Sequence, residues 1–144
     1  ERASDDGYRT AESQAAFFAA ADIVTVHLRM LPQTRGMVTA VDLALMKPDA
    51  LFVNTSRAAL VEPGALLKGL QAGRPGFAAL DVFDDEPVID AADPLVSMEN
   101  VICSPHVGYV TRDRFETMFA TAFEQVLAFA RGEPINVVNP QASP

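Results

Sequence analysis

The sequence has a single cysteine, Cys103. An internal disulfide is excluded, and this usage suits a reducing compartment, with the cytoplasm as default. Basic residues are also short: 11 Lys and Arg stand against 19 Asp and Glu, a formal net charge of −8. Nucleic acid and anionic membrane surfaces both require a basic face, so neither is an expected partner. No apolar run reaches the ~18 residues of a membrane span. The opening Glu1-Arg2-Ala3-Ser4-Asp5-Asp6 lacks the shape of a signal peptide. Repeats, low-complexity segments and domain-splitting linkers are missing as well. No apolar strand precedes the first helical stretch, and no glycine-rich turn accompanies it. The expectation is a protein entered partway through.

What is present is a series of short apolar runs between helical stretches, in 144 residues, enough for one domain with a core. Ala11 to Ala21 predicts a helix. Asp22 to His27, Leu51 to Asn54, Phe77 to Leu80 and Val101 to Cys103 predict buried strands. Thr39 is suited to cap a helix over Ala40 to Met46. Pro63 suits the first turn of a helix ending near Ala72, with Gly73 at its exit. A long acidic loop, Val82 to Asn100, joins the last two strands. Thr111 and Asp113 suit the start of a helix to Arg131. In it Phe115, Met118, Phe119, Ala122, Phe123, Val126, Leu127 and Ala130 recur at three- and four-residue spacing, which predicts one buried stripe. Ile135 to Pro140 reads as an extended tail. Strands alternating with helices imply parallel pairing through right-handed crossovers, an α/β fold.

Three segments after strands carry chemistry: Asn54-Thr55-Ser56-Arg57, Leu80-Asp81-Val82-Phe83-Asp84-Asp85-Glu86-Pro87 and Ser104-Pro105-His106-Val107-Gly108. In an open α/β sheet, residues just past the carboxyl ends of strands converge on one crest. Arg57 offers a planar cation for a carboxylate. His106 offers an imidazole able to give and take a proton near neutrality. Glu86 can orient that imidazole and stabilise its charged form. Asp81 ends a strand, where a carboxylate can accept from an amide ligand. Gly108 would let the backbone come close to a ligand. Singly, each has an ordinary reading as a solvated charge, a turn residue or a structural histidine. Together they are the parts needed to hold a 2-keto acid and protonate its carbonyl. His27 is read as structural, Cys103 as a small core residue. A metal site from His27, Cys103 and His106 lacks ligand spacing.

The run Lys47-Pro48-Asp49-Ala50-Leu51-Phe52-Val53-Asn54-Thr55-Ser56-Arg57, followed by Leu80-Asp81-Val82-Phe83, Glu86-Pro87 and Pro105-His106-Val107-Gly108, resembles the D-isomer-specific 2-hydroxyacid dehydrogenase family. The resemblance covers about Asp22 to Pro140. It implies the C-terminal half of a doubly wound, Rossmann-like NAD-binding domain with a long C-terminal helix. Residues 1–140 would form a partial dinucleotide-binding domain, whose helix and tail return to a missing substrate domain; 141–144 would be a tail.

The resemblance also implies roles. Arg57 would bind the substrate carboxylate and carbonyl, His106 would be the general acid and base, and Glu86 its partner. Asp81 would hold the nicotinamide carboxamide. Thr55, Ser56, Arg57, His106 and Gly108 would line the nicotinamide, and Leu28 would touch the cofactor through its backbone. The cofactor would be NAD, with NADP open, the substrate a 2-keto or 2-hydroxy acid, and the assembly a homodimer. Another reading is an NAD-sensing corepressor or scaffold on the same fold. Arg29, Ala58 and Tyr109 depart from the family's common residues. The Gly-x-Gly-x-x-Gly turn that cradles a dinucleotide pyrophosphate is absent: Gly69, Gly73 and Gly76 have the wrong spacing.

Overall fold

The computed structural model of the chain describes residues 2–89 and 93–142. These form two compact units, Glu1–Gly108 and Tyr109–Pro144. The division falls inside the 1–140 span expected as one domain. Of the expected 141–144 tail, residues 143 and 144 lie outside the described residues, as do residues 90–92 of the acidic loop.

The first unit runs α1 (Arg2–Asp5), α2 (Gln14–Ala20), β1 (Ile23–Val26), α3 (Ala40–Leu45), β2 (Leu51–Asn54), α4 (Ala65–Gln71), β3 (Phe77–Leu80) and β4 (Val101–Cys103). Side-chain oxygens start two of the helices. Ser13 accepts from the Ala16 N–H at the head of α2. Thr39 accepts from the Asp42 N–H at the head of α3, while the Asp42 carboxylate accepts from the Thr39 N–H at 2.8 Å. This reciprocal pair is a capping box. One boundary differs from expectation. Gly64 sits at φ 72°, so α4 begins after it, at Ala65, and Pro63 lies outside the first turn. A left-handed residue cannot belong to a right-handed helix.

The four strands form one parallel sheet in the order β1-β2-β3-β4. α3 joins β1 to β2 and α4 joins β2 to β3; no helix is described between β3 and β4. The register sets Val24, Phe52 and Ala78 side by side, with Val26, Asn54 and Leu80 two residues further on. With a two-residue period these share one face. Their apolar members form the core with Phe18, Leu43, Met46, Leu66 and Leu70 from the helices. The other face corrects the expectation of strands buried throughout: Ile23 is 62% exposed, Phe77 50% and Ile102 76%. An unbroken apolar run shows that a strand tolerates burial on both sides. Here α2, α3 and α4 all deliver their buried residues to the same core.

In the second unit, α5 (Arg112–Ala130) is capped by Thr111, whose hydroxyl accepts from the Arg114 N–H. Asp113 lies in the first turn, where the helix dipole favours an anion. The apolar stripe exists, and Phe115, Phe119 and Phe123 line up along it with ring centroids 4.5 and 6.3 Å apart. The expectation that it is buried is overturned, because no residue of α5 is buried. Periodicity reports that a helix has an apolar face, not that a surface covers it.

Candidate active site

Parallel pairing places the carboxyl ends of all four strands on one crest. Ladder hydrogen bonding continues one step into the loops. The Asp81 N–H donates to the Asn54 carbonyl at 3.0 Å, and the Ser104 N–H to the Leu80 carbonyl at 2.9 Å. Loops far apart in sequence therefore leave the sheet side by side.

The loop after β2 is built around Asn54, whose side chain is buried. Its Oδ1 accepts from the Ser56 N–H at 3.0 Å and its Nδ2 donates to the Arg57 carbonyl at 2.9 Å. The Ser56 hydroxyl donates to the Leu28 carbonyl at 2.9 Å, tying this loop to the one after β1. Leu28 and Ser56, both expected near a cofactor, thus meet. Arg57 is exposed, and its Nη1 donates to the Ser56 carbonyl at 2.6 Å.

The loop after β4 is built around Asp81, which is 3% exposed. Its Oδ1 accepts from the Ser104 hydroxyl at 2.5 Å and the Val107 N–H at 2.9 Å. Its Oδ2 accepts from the Gly108 N–H at 2.8 Å. Burial pushes the Asp81 carboxyl up, but these three donors, with the His106 charge, outweigh burial and hold it below its ordinary value. His106 has a left-handed backbone, φ 55°. Gly108 does not need a positive φ. A Cβ there would stand 2.9 Å from Asp81 Oδ2 and 3.9 Å from Thr55 Cβ. The close approach explaining this glycine within the chain is that of the Asp81 carboxylate.

His106 Nδ1 lies 2.6 Å from Glu86 Oε2, with each side chain 33% exposed. Glu86 Oε1 accepts from the Phe83 N–H at 2.9 Å, which folds the acidic segment back on itself. The Glu86 carboxyl lies below its ordinary value. The His106 hydrogen bond contributes most, then the Phe83 N–H, against a burial cost, with the His106 and Arg57 charges adding to it. An ionised carboxylate only accepts, so Nδ1 carries the proton in this pair. Asp84 and Asp85 are exposed. The pair forms part of the wall of a cavity of about 670 Å³, with Phe83, Val96 and Cys103 among the other lining residues. Another cavity, of about 600 Å³, is lined by Asn54, Leu66, Val82 and Asp93 among others, and neither His106 nor Glu86 reaches it.

Cys103, expected as a small core residue, is only half-buried and lines the cavity that the His106–Glu86 pair borders. His27 Nε2 pairs with the Thr25 hydroxyl at 2.7 Å. Burial, and then the Asp93 charge, push the Cys103 thiol up, away from the reactive thiolate. No metal-binding cluster occurs among the described residues. No helix is long and apolar enough to cross a membrane among them. Asn54 and Ser104 are the residues that the sequence reading quoted without a role. Each is a polar residue at or just past the end of an apolar strand, a position where a side chain that bonds its own loop is at a premium.

Comparison with known proteins places the chain in a family. Residues 1–108 match the profile of the D-isomer specific 2-hydroxyacid dehydrogenase NAD binding domain. A glyoxylate reductase of Aeropyrum pernix is 42% identical over 119 residues, 82% of this chain and 35% of that protein. A solved oxidoreductase of Ralstonia solanacearum is similar with a TM-score of 0.91 at 49% identity, covering 99% of this chain and 42% of that one. A D-isomer specific 2-hydroxyacid dehydrogenase of Xanthobacter autotrophicus, solved in complex with NADPH and MES, is 35% identical with a TM-score of 0.65, over 90% of this chain and 53% of that one. The chain thus spans about a third or less of the length of the first curated relatives it matches.

Proposed function

The chain belongs to the D-isomer-specific 2-hydroxyacid dehydrogenase family, and from that premise we propose that it carries the acid–base and substrate-anchoring side of a reversible reduction of a 2-keto acid to a D-2-hydroxy acid. The observation that supports this most is the 2.6 Å His106–Glu86 pair, with the Arg57 charge near enough to favour the ionised carboxylate. Glu86 fixes the proton on Nδ1, which assigns proton exchange with the substrate to Nε2. Arg57 grips the substrate carboxylate through its fork and polarises the carbonyl. Protonated His106 gives its Nε2 proton to the carbonyl oxygen, and Glu86 stabilises the imidazolium before that step. In the oxidative direction neutral His106 takes the proton back from the hydroxyl.

The donors and acceptors on the crest suit the nicotinamide end of a dinucleotide. The Leu28, Thr55 and Gly108 backbones would line it, and Asp81 Oδ2, which accepts from the Gly108 N–H, has capacity for a second bond. The residues present do not extend this fit to the pyrophosphate, because the chain has no glycine-rich turn. NADH or NADPH, when bound, supplies the hydride. The assembly we propose is a homodimer, which light scattering measures directly.

The test is a panel of 2-keto acids with NADH and NADPH, assayed on the protein that carries this chain. Turnover with at least one acid, abolished in His106→Ala, is expected. Cofactor binding without turnover on any acid would replace this reading with a nucleotide-sensing scaffold.

A further inference from the structure

We propose that Asp81, Ser104 and Gly108 form a clamp that positions the His106 imidazole, so that Asp81 acts on the reaction through His106. The proposal rests on the assignment of His106 as the proton donor. Three observations carry it. First, the Asp81 carboxylate collects donors from three points of one short loop: the Ser104 hydroxyl, the Val107 N–H and the Gly108 N–H. These bracket His106 on both sides. Second, His106 is held at φ 55°, a left-handed region that is unfavourable for a residue with a Cβ. Charge-assisted hydrogen bonds on either side offset that cost. Third, the glycine at 108 leaves room for Asp81 itself, since a Cβ there would come within 2.9 Å of Oδ2.

The consequence is positional. His106 reaches Glu86 from a loop whose backbone has no regular secondary structure. Without the clamp the loop can relax toward ordinary backbone angles, and the imidazole leaves Glu86. Ser104 is then a positioning residue that touches neither His106 nor Glu86 through its side-chain bond.

The clamp is tested by nuclear magnetic resonance on the protein that carries this chain, through the low-field Nδ1 proton of His106 in its bond to Glu86, assigned by its loss in His106→Gln. In Ser104→Ala we expect this proton to exchange with water about tenfold faster or more, the scale of one lost hydrogen bond. The Val107 and Gly108 amides should lose protection in parallel. Ser104→Thr keeps the hydroxyl and should keep the signal. Gly108→Ala should mimic Ser104→Ala, and the double variant should fall short of the product of the two, since both act through one carboxylate. A local structural role would free the amides and leave the Nδ1 proton untouched; that result overturns the proposal. So does an unchanged spectrum in both single variants.

In turnover, Ser104→Ala should lower kcat about tenfold with KM within twofold, as expected for a misplaced proton donor. A raised KM for the cofactor with kcat held would overturn the clamp and leave Asp81 acting on the cofactor alone. Should the protein turn over no 2-keto acid, the Nδ1 proton still reads the clamp, so the two ideas fail separately.

Discussion

The loop that carries Arg57 and the loop that carries His106 solve the same problem with different chemistry. Each leaves a parallel strand and must hold a polar side chain over the crest. The first is organised by an amide, Asn54, which accepts from one backbone N–H and donates to one carbonyl. The second is organised by a carboxylate, Asp81, which accepts three times and donates nothing. An amide can serve a loop that presents one donor and one acceptor, and it does not titrate. A carboxylate serves a loop that presents donors alone, and its grip depends on pH. Arg57 therefore sits on a pH-independent mount and His106 on a titratable one.

The largest expected effect is at the end of the first loop. Arg57→Lys keeps the charge but loses the planar fork. It should lower kcat/KM by about 10²-fold or more, as for a misplaced substrate. A loss of only a few-fold would show that Arg57 is not the carboxylate anchor.

Next comes a direct inversion of the comparison. Asn54→Asp would place a carboxylate oxygen against the Arg57 carbonyl, where Nδ2 now donates at 2.9 Å. Urea unfolding at pH 7 should show a loss of about 2 kcal/mol. The new carboxyl would be destabilised when charged, so its folded pKa would be raised. The penalty applies above that value and fades as pH falls and the acid form donates. Relative to wild type the variant should recover in acid; a pH-independent loss would contradict the proposed role of the amide.

The third prediction concerns the titratable loop. Glu86→Gln keeps a polar partner for His106 but removes the charge that favours the imidazolium. Reductive kcat/KM should fall about tenfold at neutral pH, the scale of one charge-assisted hydrogen bond between partly exposed partners. A kcat/KM within twofold of wild type would break the link between Glu86 and proton transfer.

The smallest effect is on stability. The Asp81 carboxyl is lowered from an ordinary value of 3.8, so its contribution is present above that value and is lost as pH falls through the lower folded one. Ser104→Ala removes one cause of the lowering. It should cost about 1.4 kcal/mol at neutral pH, and the difference from wild type should narrow below about pH 4. Asn54→Ala, by contrast, should cost the same at both pH values when measured by urea unfolding.

Much of this site was legible from residue order. Arg57, Glu86 and His106 each follow an apolar run, and parallel pairing was sufficient to bring their loops to one crest. Thr39 was readable as a cap, but its partner Asp42 was not, because a capping box depends on a side chain turning back one turn of helix. Asn54 and Ser104 were in view without a role. Their targets are backbone groups of loops, whose path no periodicity describes. Asp81 was read toward a ligand, yet its carboxylate accepts from the His106 loop. The stripe on α5 was legible as a pattern, and its exposure was not.

By itself the sequence determined the alternation of strands and helices, the parallel sheet and the three loops that bear chemistry. These follow from local pattern and from the handedness of crossovers, which the chain carries everywhere. Tertiary structure decided which face of each strand is covered, why position 108 is glycine, and which loop groups Asn54 and Asp81 bind. Those outcomes depend on distances of a few ångströms between residues remote in sequence, and no local rule contains them.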